Sequence, residues 1–540
     1  MIEVPVLIVG GGPVGLTASI LLSRLGVASR LVERHPGTAF HPKARNINMR
    51  TMEVFRQCGV EDAVRAAGLP MERTVFLIWA ESLSGREIER RVPRRSNTVG
   101  DSSPSAVRHC LCAQDDLEPA LRGHAEALAP GTLAFGTELT RFEQDAGGVT
   151  ATVRGAGGEQ RIRAQYVIGA DGARSRVRPA LGIPLHGTAE VYRSVNVLMH
   201  ADLSRWVKDR PAAIYLIRQP GLRCTFMTIN GVNRWGFLIN LPVGASFEPY
   251  TPEHCAAVAR AAAGVPDLDV EILGVDPWVA ASLVAERFSA GRVFIAGDAA
   301  HEMPPTGGFG LNTGVQDVHN LAWKLSAVLK GWAGPELLDT YDAERRPWGQ
   351  FVTDEALASA ISMGRGRQLD EAAGDPPMLA RPEFHSELGV IFGASYISPA
   401  VVPDGTDSPA IENRVAQYVP CARPGGRAPH VWLQRNGHRA STHDLIGMGF
   451  ALFAGERGAP WRDAARAACA SLGVPLCAYT VGAVADVGDP DGLWAPAYGV
   501  DADGAVLVRP DGHVAWRQRS AVSDPRRELE RALRGMLSIA

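Results

Sequence analysis

Residues 4–33 read VPVLIVGGGPVGLTASILLSRLGVASRLVE, and this stretch decides the fold. Residues 4–9 form a short apolar run, the pattern of a strand buried on both faces. Glycines follow at once. Leu16, Ile20, Leu21 and Leu25 then recur at helical spacing, with Gly26 as the C-terminal stop. Residues 28–33 resume a strand that ends on Glu33. This is one βαβ unit with Gly10-x-Gly12-x-x-Gly15 at its strand-to-helix turn. Gly10 permits the tight turn, Gly12 lets a pyrophosphate approach the backbone, and Gly15 lets helix and strand pack closely. The helix start, opened by Pro13, offers free N–H groups from Val14 onward and a positive dipole end to phosphate. A carboxylate at Glu33 accepts from ribose hydroxyls. A dinucleotide is expected, and the fingerprint alone does not separate NAD from FAD.

The chain has 540 residues, room for about three to four domains at ~150 residues each. Hydrophobic residues make up 46% and charged residues 21%, which sets aside disordered and fibrous classes. The net charge of −3 leaves no basic excess for nucleic acid or an anionic membrane. The eight cysteines form no C-x-x-C and no zinc spacing, and read as reduced, buried thiols. The N-terminal apolar run lacks a basic leader and breaks at glycines, so no signal peptide is expected, and no run of ~18 apolar residues suggests a membrane span. A cytoplasmic protein without a metal is expected, its oligomeric state open between monomer and homo-oligomer.

Further along, residues 45–68 read as helix with a turn near Gly59, and 72–100 as an insertion containing the strand-like VFLIWA. GDSSPS at 100–105 reads as a turn or mobile loop, 114–129 as helix, and 141–153 and 160–163 as two hairpin-like strands. Between 190 and 241 the β-rich runs AIYLIRQ, CTFMTIN and WGFLIN follow at even spacing, as in an antiparallel meander. Helices are expected at 314–330 and from 340 onward. Residues 366–410, rich in Pro, Gly and Asp, read as a linker with some ordered pieces. Beyond 425 a separate small α/β domain is expected, with a helix at 461–472, a hairpin around Pro510-Asp511-Gly512 and an amphipathic helix at 522–538.

A second motif separates the two dinucleotides. Residues 291–312 read GRVFIAGDAAHEMPPTGGFGLN. Asp298 at a strand end can accept from a ribityl hydroxyl. The Pro-Pro-x-Gly-Gly-x-Gly loop opens another helix, whose positive end suits the N(1)/O(2) side of a reduced isoalloxazine. His301 reads as a structural loop residue. A third motif, YVIGADGARSRVR at 166–178, follows a strand with Asp171 and then Arg174, Arg176 and Arg178. The Asp can organise a pyrophosphate loop, and the arginines can meet phosphate.

These three motifs, in this order, resemble those of the group A flavoprotein monooxygenases, single-component FAD-dependent aromatic hydroxylases. HPKARNINMRTMEVFRQCGV at 41–60 and QDDLEPAL at 114–121 are also similar. GAVLVRPDGHVAWR at 504–517 resembles the dichlorophenol- and polyketide-hydroxylase subgroup, which carries a C-terminal thioredoxin-like domain. The resemblance implies an α/β fold. A Rossmann-like FAD-binding domain of the GR2 type (1–71, 101–183 and 276–395) holds an inserted β-sheet substrate domain (72–100 and 184–275), and a thioredoxin-like α/β domain follows (396–540).

The resemblance also implies roles. Gly10, Gly12, Pro13, Val14 and Gly15 cradle the FAD pyrophosphate, and Glu33 holds the adenosine ribose. Arg45 and Gln114 touch the pyrophosphate and ribityl chain. Asp171 is shared by the FAD groove and the nicotinamide donor, and Asp298 holds the ribityl chain. Pro305, Gly307, Gly310, Leu311 and Asn312 contact the isoalloxazine. The implied reaction is NAD(P)H-driven hydroxylation of a phenolic or hydroxy-heteroaromatic ring with dioxygen, through a flavin C(4a)-hydroperoxide, in natural-product biosynthesis or aromatic catabolism. Arg34 and His35 after Glu33 lean the donor toward NADPH over NADH.

A ring hydroxyl needs a base or acceptor. Tyr215, Arg218, Arg223, Thr225, Asn240 and His200 are candidates on or near the meander, with Pro304 in the flavin loop. Phe226, Trp235 and Phe237 suit either an aromatic substrate or a plain core. Alternation puts about half of them on one face. Epoxidation, Baeyer–Villiger-type insertion or ring rearrangement on the same scaffold stays open. A disulfide reductase lacks its cysteine pair here, and a non-catalytic flavin binder would not need the full flavin-facing loop. The C-terminal domain, without C-x-x-C, is expected to serve structure or dimerisation, so removing 425–540 should spare flavin chemistry.

Overall fold

The computed structural model describes residues 1–70, 76–91, 103–363 and 387–539. Strand Ile2–Val9 sits inside a parallel arrangement, flanked by Ser29–Glu33 and by Gly158–Gly169. Val293–Ile295 and Leu133–Phe135 extend this sheet on its two sides. The C-terminal ends of Ile2–Val9 and Val293–Ile295 therefore open at one edge, where the two glycine-rich loops meet. The expected strand at 141–153 is two strands, Glu138–Asp145 and Gly148–Gly155. They turn because the Asp145 side chain accepts the N–H groups of Gly147 and Gly148 at 2.7 and 3.1 Å. The expected helix from 45 begins only at Met49, capped by Asn48, whose side chain accepts the Thr51 N–H at 3.0 Å.

The inserted part is an eight-stranded sheet. Its meander, Ala212–Gln219, Leu222–Thr228 and Arg234–Leu241, is antiparallel throughout. Beside it lie the two longest strands of the substrate sheet, Leu185–His200 and Glu271–Ala285, paired along most of their length. Sequence pattern hid the second of these because Pro277 interrupts it. The strand tolerates proline there because its other neighbour, His301–Glu302, pairs only with Leu283 and Val284. Helix Pro252–Ala263 covers one face of the sheet, packing Cys255, Ala259, Ala262 and Ala263 against the large side chains of that face.

The C-terminal part is a thioredoxin-like α/β unit with a seven-stranded sheet. Phe450–Ala454 runs parallel to Leu476–Gly482 and antiparallel to Ala505–Val508, which forms the hairpin with Val514–Gln518. Helices Ala459–Leu472 and Pro525–Met536 share its apolar core. Of the expected linker, 366–386 lies outside the described residues. So do 72–75 and 92–100 of the insertion and the first three residues of GDSSPS. The rest of the linker is tied to the C-terminal part: Tyr396 N donates to Gly425 O at 2.9 Å, Gly425 N in turn to Val514 O of the hairpin at 2.8 Å, and Val402 N to Ala515 O at 2.8 Å. Among the described residues no helix is long and apolar enough to cross a membrane.

Candidate active site

The first glycine loop is built by close approach. Gly10 has φ +111°, and a Cβ there would lie 2.2 Å from Ala170 O. A Cβ on Gly15 would lie 1.9 Å from Gly10 O, so neither position admits a side chain. Gly12 is different. Its nearest neighbour is Glu118 Oε1 at 3.9 Å, so its outer side faces open space. Helix Pro13–Arg24 has no side-chain cap and no acid in its first turn, leaving its N–H groups free to meet an anion. Glu33 accepts the Gly11 N–H on Oε2 at 2.7 Å and the His35 N–H on Oε1 at 2.8 Å, so it also braces the loop. Arg34 beside it is exposed.

Glu118 stands out in the sequence only within the QDDLEPAL stretch at 114–121. It is buried, and it accepts Ala39 N at 2.5 Å and Gln114 Nε2 at 2.7 Å. Gln114 Oε1 in turn accepts Ala44 N at 3.2 Å, so these two side chains hold segment 39–44 over the cradle. Burial pushes the Glu118 carboxyl above its ordinary range.

At the second loop Asp298 is accessible by surface area yet ringed by protein, as a side chain aimed into a narrow cleft must be. It makes no hydrogen bond among the described residues, and burial raises its pKa. Pro304 is buried, Pro305 is exposed, and Gly307, Gly310 and Leu311 are half-buried. Helix Gly310–Leu329 begins without a side-chain cap or an acid in its first turn. Asn312, expected at the isoalloxazine, spends its side chain on the scaffold. Its Oδ1 accepts Asn48 N at 2.9 Å, and its Nδ2 donates to Asn46 O at 2.8 Å and to Gly308 O at 2.7 Å. Asn312 thus shapes the loop.

Asp171 is likewise committed. One oxygen takes Ser175 Oγ at 2.7 Å, and the other takes the N–H groups of Arg176 and Val177 at 2.7 and 3.1 Å. A local N-terminal helix clamp explains this motif. Arg176 pairs with Glu138 at 2.9 Å, and Arg178 donates to Ala299 O at 3.2 Å.

The substrate sheet has two faces, and register tells them apart. The paired row Tyr215, Phe226, Phe237, Val197 points at helix Pro252–Ala263 and is fully buried. Tyr215 OH donates to Arg210 O at 2.8 Å and accepts Ala212 N at 3.0 Å. Tyr215 and Phe237 are therefore core residues and leave the list of pocket candidates, and Trp235 and Phe226 go with them. The adjacent row Leu216, Thr225, Leu238, Asn196 points the other way, with Arg218, Arg223 and Asn240 on the same face. His200 pairs with Glu271 at 3.1 Å.

Segment 41–46 crosses this second face. Asn196 Nδ2 donates to Pro42 O at 3.2 Å. Arg45 donates Nη1 to Thr228 O at 2.8 Å and Nη2 to Ala213 O at 2.6 Å, binding the ends of two inner strands of the substrate sheet rather than pointing at the first glycine loop. No carboxylate pairs with it among the described residues, and burial pulls its guanidinium down to about 10. Three buried polar atoms here lack hydrogen-bond partners: Asn196 Oδ1, Asn240 Oδ1 and His41 Nε2. In the sequence His41 is only the first residue of the 41–60 stretch. Burial lowers its pKa, keeping the ring neutral near pH 7, and its Nδ1 faces Gly274. Orphaned buried polar atoms are rare, so their gathering on one face marks where a ligand belongs.

An uncovered helix start beside open Gly12, an unpartnered Asp298 in a cleft and a second uncapped helix start fit the pyrophosphate, ribityl chain and pyrimidine end of FAD. Beside them a sheet face presents spare hydrogen-bond acceptors. A flavin site facing a β-sheet pocket defines the class as flavin-dependent monooxygenase. Family comparison agrees: residues 3–356 match the FAD binding domain, and residues 422–540 match the aromatic-ring hydroxylase C-terminal domain. The chain belongs to this FAD-dependent aromatic hydroxylase family. It is 40% identical to 4-methyl-5-nitrocatechol 5-monooxygenase from Burkholderia sp, over 99% of this chain and 98% of that one. It is also 40% identical to aklavinone 12-hydroxylase RdmE from Streptomyces purpurascens, over 99% of each. The crystal structure of the flavin-dependent monooxygenase PieE with FAD and substrate superposes with a TM-score of 0.90 at 38% identity, covering 100% of both chains. The protein is an FAD-dependent monooxygenase using dioxygen and a reduced nicotinamide.

Proposed function

We propose that this enzyme hydroxylates a phenolic ring of a fused, polyketide-type aromatic in the cytoplasm, as a step of natural-product biosynthesis. The observation that carries the reading is the second face of the substrate sheet. Leu216, Thr225, Leu238 and Asn196 form one row across four strands. Three interstrand spacings make that row ~14 Å long, the length of several fused rings rather than one. Its side chains alternate apolar and polar groups, and Asn240 and Asn196 keep unpartnered oxygens for phenolic O–H groups.

The bound flavin supplies oxygen transfer from dioxygen. The chain's residues do the rest. Gly12 and the N–H groups of Val14 and Gly15 hold the pyrophosphate, Glu33 the adenosine ribose and Asp298 the ribityl chain. The start of helix Gly310–Leu329 sets a positive field at the pyrimidine end. Asn240 orients the ring hydroxyl. His41, held neutral, accepts its proton and raises the ring's electron density. Arg34 and His35 at the exposed end of the Glu33 strand support NADPH as the donor.

Substrate-stimulated NADPH oxidation with a product 16 mass units heavier tests this. Hydroxylated anthraquinones and naphthacenes should stimulate turnover, and Asn240→Leu should raise KM about tenfold with kcat less affected. Stimulation by one-ring phenols alone would overturn the proposal.

A further inference from the structure

The helix that starts at the flavin loop carries a polar stripe that runs away from the flavin. Residues 313, 317, 320 and 324 recur on one face of Gly310–Leu329. Each meets a buried partner. Thr313 O accepts Arg345 Nη2 at 3.2 Å, and Asp317 Oδ1 accepts Arg345 Nε at 2.8 Å. Asn320 Nδ2 and Lys324 Nζ donate to Glu344 Oε2 at 2.7 and 2.8 Å. Asp317 also reaches back to the flavin loop. Its Oδ2 accepts Gly297 N at 3.1 Å and lies 2.7 Å from His301 Nε2, and Gly297 is the residue before Asp298.

The partners of this stripe are held from the C-terminal part. Arg345 Nη1 donates to the Tyr396 hydroxyl at 3.0 Å. The Tyr396 ring stacks on His513 at 4.1 Å and 24°. Arg509 grips both Glu344 oxygens, at 2.6 and 2.8 Å, and lies 5.3 Å from the Tyr396 ring. Arg509 and His513 flank the Pro510-Asp511-Gly512 turn of the hairpin. Asp317, Arg345, Lys324 and Arg509 are all completely buried. Well-packed apolar residues would give comparable stability without the desolvation cost, so the value of these charges lies in fixed position.

We propose that the C-terminal domain positions Asp298 and the first turn of the flavin-facing helix through this buried relay, with Tyr396, Arg345, Asp317, Glu344 and Arg509 as positioning residues. On this proposal removing 425–540 disturbs the flavin site, because the deletion takes away Arg509, which grips Glu344, and His513, on which the Tyr396 ring behind Arg345 stacks. The proposal does not depend on the identity of the aromatic substrate.

Tyr396→Phe in the full chain keeps the ring and its stack and removes only the hydroxyl. Fluorescence titration of the apoprotein with FAD should show Kd raised at least fivefold, and the flavin midpoint potential of the holoenzyme should move. Arg509→Lys, which keeps a charge but loses the two-pronged grip, should shift both readouts in the same direction. Leu433→Ala, in an apolar cluster made only of residues of this domain, should lower the melting temperature and leave both readouts alone. Wild-type Kd and potential in both relay variants would overturn the proposal, and so would an equal shift in Leu433→Ala.

Discussion

Glu344→Gln isolates the electrostatics of the domain contact with almost no change of shape. Glu344 is 2% exposed and receives Arg509, Lys324, Asn320 and Ser398. Arg509 keeps a second carboxylate, Asp511, after the change. Lys324 has no other ion pair among the described residues, and burial already pulls it down to about 8 with Glu344 in place. Without that partner Lys324 is expected to give up its proton. The wild-type group, with its pKa at about 8, is still charged at pH 7, so giving up that proton costs ~1.4 kcal/mol relative to the wild type. The folded variant then binds one proton fewer than the folded wild type at pH 7, and this deficit fades as pH rises through 8, where the wild-type lysine loses its proton as well. Urea unfolding followed by tryptophan fluorescence at pH 7, 8 and 9 measures this, because Trp323 packs 5.7 Å from Phe450 across the contact. A deficit under ~1 kcal/mol at pH 7, or one that does not change with pH, refutes the reasoning.

Other expectations follow from single positions. Gly15→Ala places a methyl 1.9 Å from Gly10 O, so purified protein should contain no FAD and unfold at lower urea; normal flavin content would contradict the close approach. Asp298→Ala should lower the flavin-to-protein ratio with an unchanged circular dichroism spectrum. Full occupancy would remove Asp298 from the ribityl chain. Glu302 is raised to about 7, by burial first and then by Asp298, with Arg178 opposing. Because its folded pKa lies above the unfolded one, its stabilising contribution is complete below about pH 4.5 and lost as pH rises through 7. Glu302→Gln should therefore stabilise the protein at pH 8 by ~1 kcal/mol, allowing for partial solvent exposure, and be neutral near pH 4.5. Melting curves at both pH values check it.

What could be read from the chain was whatever local chemistry writes in adjacent residues. Gly10-x-Gly12-x-x-Gly15 behind an apolar run, the GDAAH loop ahead of a helix, and the Pro510-Asp511-Gly512 turn each carry their geometry within a dozen positions. The even spacing at 212–241 announced a meander in the same way. What could not be read was direction. Period-two alternation divides Tyr215 from Leu216 and Phe237 from Leu238. Only the small-residue surface of helix Pro252–Ala263 decides which set takes the core. Asp171 shows the opposite failure, since a conspicuous motif proved to satisfy its own neighbouring backbone. His41 is undistinguished in sequence and gains meaning from Asn196, which lies far along the chain. The relay is invisible for the same reason: Lys324, Glu344 and Arg509 each look like ordinary surface charges until folding removes them from water.

The two-faced substrate sheet has a consequence for how this enzyme could diversify. Residues 214, 216, 225, 227, 238 and 240 share the pocket side, and their immediate neighbours hold up the molecule. Point substitutions at alternate positions can therefore explore new substrates while inheriting an intact architecture. A single-residue insertion or deletion in any of these strands would exchange the two roles wholesale. Lineages of such enzymes should therefore differ in their meander by replacement and keep its length constant.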